Sequence, residues 1–132
     1  MKKYNYEDAV LKEIPEPEKD STLIPVDISD KTIEQRKQKI IEKMNQRRID
    51  VLLIYADLEH GSNFEYLVGF LPRFEEALLV FHKDQKAYLV MGNENLNKVS
   101  KARLQCKAIH APYFSLPNQP MNNTKSFKDI MK

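Results

Sequence analysis

Ile49-Asp50-Val51-Leu52-Leu53-Ile54-Tyr55-Ala56 is the run on which the fold class turns. It is nearly continuous in apolar residues and rich in β-branched ones, which reads as a strand buried on both faces of a sheet. Polar residues 57–63 end it. Residues 63–70 follow as a short helix, with Phe64, Leu67 and Val68 at helical spacing and Gly69 near its end. Ala77-Leu78-Leu79-Val80-Phe81 and Ala87-Tyr88-Leu89-Val90-Met91 then flank the polar connection 82–86, a length that suits an antiparallel hairpin. Gly92-Asn93-Glu94-Asn95 turns the chain into a helix to about Ala102. Residues 104–110 alternate weakly and read as a strand nearer the sheet edge.

Upstream of the deciding strand lies an amphipathic helix. Asp30 or Thr32 is the expected N-cap, and Thr32-Ile33-Glu34-Gln35 has capping-box spacing. Ile33, Ile40, Ile41 and Met44 share one face, while Arg36, Lys37, Lys39, Lys43, Arg47 and Arg48 occupy much of the remainder. With no aromatics interleaved for base stacking, that basic surface reads as a solvated face, its charges favoured near the helix C-terminus. The element order gives an α/β domain, a mixed β-sheet flanked by helices.

Residues 1–28 differ in character. Acidic residues outnumber Lys12 and Lys19 over 7–20, and Pro15, Pro17 and Pro25 punctuate the stretch. Residues 6–13 allow one or two helical turns; 14–28 read as an extended arm. The expected organisation is therefore an arm over 1–28 and one α/β domain over 29–132. At the other end, residues 111–120 hold three prolines with Tyr113 and Phe114 and read as an ordered loop. A last helix begins within 124–131 and stops abruptly, as if the domain were truncated at its C-terminal end.

Composition narrows the function classes. A chain of 132 residues supports one compact domain, and a formal net charge of +2 gives no footing for phosphate backbones or anionic lipid. Hydrophobic residues at 42% and charged residues at 30% describe a soluble globular domain. No apolar run is long enough to span a bilayer, and Met1-Lys2-Lys3-Tyr4-Asn5-Tyr6 lacks the apolar core of a signal peptide. One cysteine, Cys106, excludes an internal disulfide. A cytoplasmic protein that binds neither nucleic acid nor membrane is expected.

Candidate chemistry gathers between residues 57 and 76. Asp57, Glu59, His60, Glu65, Glu75 and Glu76 are metal-ligand types. Their spacing matches no ligand motif, and a strand after Glu76 sends Glu75 and Glu76 to opposite faces. A polar loop network is the favoured reading, with no metal site and no catalytic residue in this chain. His60 and Arg73 sit on connections at strand ends, where ligands of open α/β sheets bind. Arg73 can fork a carboxylate, or it can pair locally with Glu75 or Glu76. His60, Arg73 and Glu75 are the substrate-contact candidates. Cys106 reads as a buried structural thiol, His82 as a hairpin-turn residue and His110 as a strand end. The scattered Gly61, Gly69 and Gly92 make no phosphate loop.

Three segments in order, Ile49-Asp50-Val51-Leu52-Leu53-Ile54, Asn63-Phe64-Glu65-Tyr66-Leu67-Val68-Gly69-Phe70 and Glu75-Glu76-Ala77-Leu78-Leu79-Val80, resemble the N-terminal domain of the creatinase/prolidase/aminopeptidase P family. Tyr66-Leu67-Val68-Gly69-Phe70 carries most of the specificity. Tyr55-Ala56-Asp57-Leu58-Glu59-His60, Pro72-Arg73-Phe74-Glu75-Glu76-Ala77 and Phe114-Ser115-Leu116-Pro117-Asn118-Gln119-Pro120 look like a branch of Xaa-Pro peptidases. The resemblance covers about residues 30–121. It implies a non-catalytic domain that supports oligomer contacts, a homodimer among them, and walls the active-site cleft of a metallopeptidase. The catalytic half, with two divalent metal ions (Mn, Co or Zn) and the peptide substrate, would lie in a separate C-terminal domain. The alternative is a stand-alone binding or oligomerisation module from a catalytically degenerate relative.

Overall fold

A computed structural model of the chain describes residues 9–19, 27–121 and 124–132. Helix α1 spans Asp30–Arg47. Its N-cap is Ser29, not Asp30 or Thr32: Ser29 has extended backbone, and its hydroxyl accepts the Thr32 N–H at 3.2 Å. Asp30 is already helical, and its carboxylate pairs instead with Arg103 at 2.5 Å, 73 residues away. Arg48 turns left-handed at φ 56 and closes the helix, donating its N–H to the Asn45 and Met44 carbonyls. Ile33 and Met44 are buried, and Ile40 and Ile41 pack half-buried against the core, so the expected face is the one that packs.

Strands β1 (Val51–Ala56), β2 (Ala77–His82), β3 (Ala87–Met91) and β4 (Lys107–His110) form one mixed sheet in the order β1-β2-β3-β4. The first three are antiparallel, and β4 joins β3 in parallel. β2 is the strand buried on both faces, from Ala77 through Phe81. β1 corrects the expectation: among the described residues it pairs only with β2, and Val51, Leu53 and Tyr55 are exposed while Leu52, Ile54 and Ala56 face the helices. An apolar run does not by itself tell a central strand from an edge one.

Helix α2 spans Ser62–Val68 and buries Phe64, Leu67 and Val68 against Leu79, Phe81, Leu89 and Met91. Each such large side chain contributes about 1.5–3 kcal/mol. Gly69 ends α2 at φ 87, donating to the Glu65 carbonyl at 2.9 Å; a Cβ there would also lie 2.5 Å from Arg103 Cγ. On the other face Leu78, Val80, Val90 and Ala111 pack with Tyr88, Ile109, Phe114 and Ile130.

Several element bounds differ from those expected. His82 ends β2 rather than sitting in the turn, its ring edge-on to Tyr88 at 5.9 Å. The helix after Gly92 is a 3₁₀ helix, Leu96–Lys101; Asn95 at its N-cap makes no side-chain cap bond and donates instead to the Arg73 carbonyl. β4 begins only at Lys107; Leu104 and Cys106 precede it and pack on the core. Helix α3 is four residues, Phe127–Ile130. Of the expected N-terminal helical turns, residues 6–8 lie outside the described residues, and 9–13 form no helix. No helix of the described residues is long and apolar enough to cross a membrane.

Candidate functional site

The site is built where β1 ends and β2 begins. Ala56 and Ala77 are direct partners, so the loops leaving them emerge side by side at one end of the sheet. Gly61 is where they touch: a Cβ added there would run into Leu71 Cδ2 and lie 3.0 Å from the Asp57 carbonyl oxygen. The loop over 57–61 is tied by Asp57, which accepts the His60 N–H at 2.6 Å and holds His60 Nδ1 at 2.9 and 3.0 Å. That contact lowers the Asp57 carboxyl and raises the His60 imidazole from their ordinary values, the side-chain hydrogen bond being the largest cause in both. His60 stays exposed beside its carboxylate.

Arg73 lies on the second loop, exposed. Among the described residues it makes no ion pair with Glu75 or Glu76; its guanidinium stacks over the Phe74 ring, 4.8 Å from the centroid. Phe74 itself is 63% exposed and holds a left-handed φ of 72, a strained conformation for an aromatic residue. What enforces it is buried Asn95, which donates from Nδ2 to the Arg73 carbonyl at 2.8 Å and accepts the Arg73 N–H at 3.4 Å. Fully buried Pro72 anchors the other flank.

Glu75 is not on the exposed rim with His60 and Arg73. It is buried, accepting N–H bonds from Asn95 at 2.7 Å and Glu94 at 3.1 Å. Burial, and then the adjoining Glu94 side chain, push its carboxyl up to about 7, while Glu94 is lowered by the same contact. Of the two carboxyls, Glu75 is thus the one that keeps its proton to higher pH. Glu94 Oε2 is buried and, among the described residues, has no hydrogen-bond partner. Gly92 completes the arrangement, since a Cβ there would lie 2.6 Å from both Glu75 Oε2 and the Ser115 nitrogen. Asn93 donates its N–H to Ser115 Oγ at 2.8 Å and bonds His110 Nε2 at 2.7 Å, and the Glu76 N–H reaches the Phe114 carbonyl at 3.2 Å. Glu75 thus organises the rim from beneath. Glu76 goes the opposite way, as strand alternation requires: it is exposed and lies by Tyr55, whose hydroxyl is raised by burial first and then by Glu76.

Sequence reasoning names Asp57, His60, Arg73 and Glu75 but misses Asn95, Glu94 and Gly92. The Gly92-Asn93-Glu94-Asn95 run is the available signal; it reads as a helix start until Glu75 is seen to cap it. A two-metal centre does not fit the residues present: among the described residues no three His, Cys, Asp or Glu side chains converge. Cys106 is half-buried, and burial raises its thiol.

A family model described as the Creatinase/Prolidase N-terminal domain matches residues 36–119, a span that includes both loops. Among solved structures, similarity is found to one described as "N-terminal domain (Creatinase/Prolidase like domain) of putative metallopeptidase from Corynebacterium diphtheriae". The two are 21% identical with a TM-score of 0.48, over 61% of this chain and 60% of that one. No curated protein matches.

Proposed function

Because this chain belongs to the creatinase/prolidase N-terminal domain family, we propose that it is the non-catalytic N-terminal domain of a metal-dependent, cytoplasmic Xaa-Pro peptidase-like protein. On this reading the parent hydrolyses the bond before proline with a metal-activated hydroxide. The two divalent ions and the general acid–base groups belong to its other half. This domain supplies shape, oligomer contacts and one wall of the cleft. The observation that carries the reading is the family match over residues 36–119, which takes in the loops bearing His60 and Arg73. Arg73 is suited to the wall: exposed, free of the neighbouring carboxylates, and held by backbone bonds to Asn95, it offers a planar fork to a peptide carboxylate.

The experiment is Xaa-Pro peptide hydrolysis by the full-length protein with manganese or cobalt. Arg73→Ala is expected to lower kcat/KM by about tenfold or more, mainly through KM, with melting temperature unchanged. Hydrolysis unaffected by Arg73→Ala removes Arg73 from the wall. A full-length protein that binds no metal and cleaves nothing replaces the peptidase reading with a stand-alone binding module.

A further inference from the structure

Among the described residues nothing pairs with the outer edge of β1, and that edge is unguarded. Val51, Leu53 and Tyr55 are 40%, 50% and 46% exposed. The strand has no Lys, Pro or bulge of the kind that keeps edges from pairing. β4, the opposite edge strand, carries Lys107 and His110. Backbone parity shows which groups of β1 are open. The Lys83 N–H donates to the Asp50 carbonyl across the β1–β2 ladder, so Asp50, Leu52 and Ile54 turn their peptide groups toward β2. Alternation then turns the N–H and C=O of Val51, Leu53 and Tyr55 outward. Among the described residues no strand takes them up.

We propose that the β1 edge pairs antiparallel with β1 of a second copy of this chain, about a twofold axis at Leu53. Three features favour a second copy over another partner. A twofold at Leu53 sets Leu53 against Leu53 and Val51 against Tyr55 of the other copy, so every outward peptide group on those residues meets its complement. The same register puts Asp50 opposite Ala56 and Asp57 opposite Ile49, so no carboxylate faces a carboxylate. The exposed side chains of both copies then fall on one side of a continuous sheet, in line with Val80 and Tyr88. An edge of this length, roughly 20 Å, buries less than a standard interface of about 1,600 Å², so the dimer is concentration-dependent. This deepens the oligomer contacts proposed above and holds whether or not the parent is a peptidase.

Sedimentation of the intact chain over a concentration series is the test, with short bismaleimide crosslinking in a Cys106→Ser background. Dimerisation is expected, with Leu53→Lys weakening it at least about tenfold, since it sets two like charges directly opposite. Leu53→Cys is expected to crosslink, and Ala108→Cys on β4 is not. Leu53 is half-exposed, so circular dichroism should show both variants folded. A dimer untouched by Leu53→Lys, or one crosslinked through Ala108→Cys, overturns the β1 edge and leaves oligomer contacts standing. A monomer at every concentration overturns both and points to an edge covered within the chain.

Discussion

Replacing Glu75 with Gln tests the buried carboxyl pair. In the folded chain Glu75 is held protonated up to about 7, against an ordinary value of 4.5. Below about pH 4.5 the group is protonated folded and unfolded, and it costs nothing. Between 4.5 and 7 the folded chain keeps a proton that the unfolded chain releases, so stability falls as pH rises through that window. At ~1.4 kcal/mol for each pH unit, the full gap comes to about 3 kcal/mol. Glu94, lowered by the same contact, contributes stability that is present above its unfolded value and lost on acidification below it, which offsets part of that cost. The Glu75→Gln amide imitates the protonated acid: its carbonyl accepts the Asn95 N–H and its NH₂ donates to Glu94. The loss of one acceptor for the Glu94 N–H costs about 1 kcal/mol. Glu75→Gln is therefore expected to gain about 1–2 kcal/mol at pH 8, several degrees in melting temperature, and to lose about 1 kcal/mol at pH 4.5, where only the missing acceptor counts. Urea denaturation across pH 4–9 reads both the gain and the slope. A variant that is destabilised equally at pH 5 and pH 8, and that keeps the wild-type slope, would refute the raised Glu75 carboxyl.

Two further outcomes are expected at the same end of the sheet. Gly92→Ala should destabilise by about 1–3 kcal/mol in chemical denaturation, because its Cβ meets the backbone at Phe114 and Ser115 rather than a yielding side chain; a neutral result would mean that the 112–116 segment packs less closely. Asp57→Asn should return the His60 titration, followed by NMR, toward 6.5 from its raised position, and an unmoved imidazole would remove Asp57 as the cause.

What can be read from the residues alone is what is local in the chain. The β2–β3 hairpin and α2 with its Gly69 stop each declare themselves within fifteen residues, and both form as expected. The α1 cap, expected at Asp30 or Thr32, reads one or three residues late because Ser29, Asp30 and Thr32 are all competent caps; Asp30 is engaged instead by Arg103. β1 misleads for a related reason: apolarity reports a strand, not how many neighbours it has. At the site, Asp57 and His60 are three residues apart and can be paired by eye. Glu75 with Glu94 and Asn95, and Arg73 with Asn95, are contacts 19 to 22 residues apart through a turn that resembles a helix start.

Strand order also governs how the chain reaches this structure. β2 and β3 are joined by a short turn, so their ladder closes over the least chain and can form early, whereas β1 reaches β2 only across the 57–76 segment that carries α2. β4 must first cross over through the 92–106 segment before it can pair in parallel with β3. Arg103, which closes on Asp30 and the Ile28 carbonyl across 73 and 75 residues, can clasp α1 only when that crossover is in place. Loop length therefore favours the β2–β3 hairpin as the first ladder to close, and the polar rim around Glu75, Asn95 and Phe114 needs the segment after β3 to be in place. A chain caught before that step would hold a native-like core and no site.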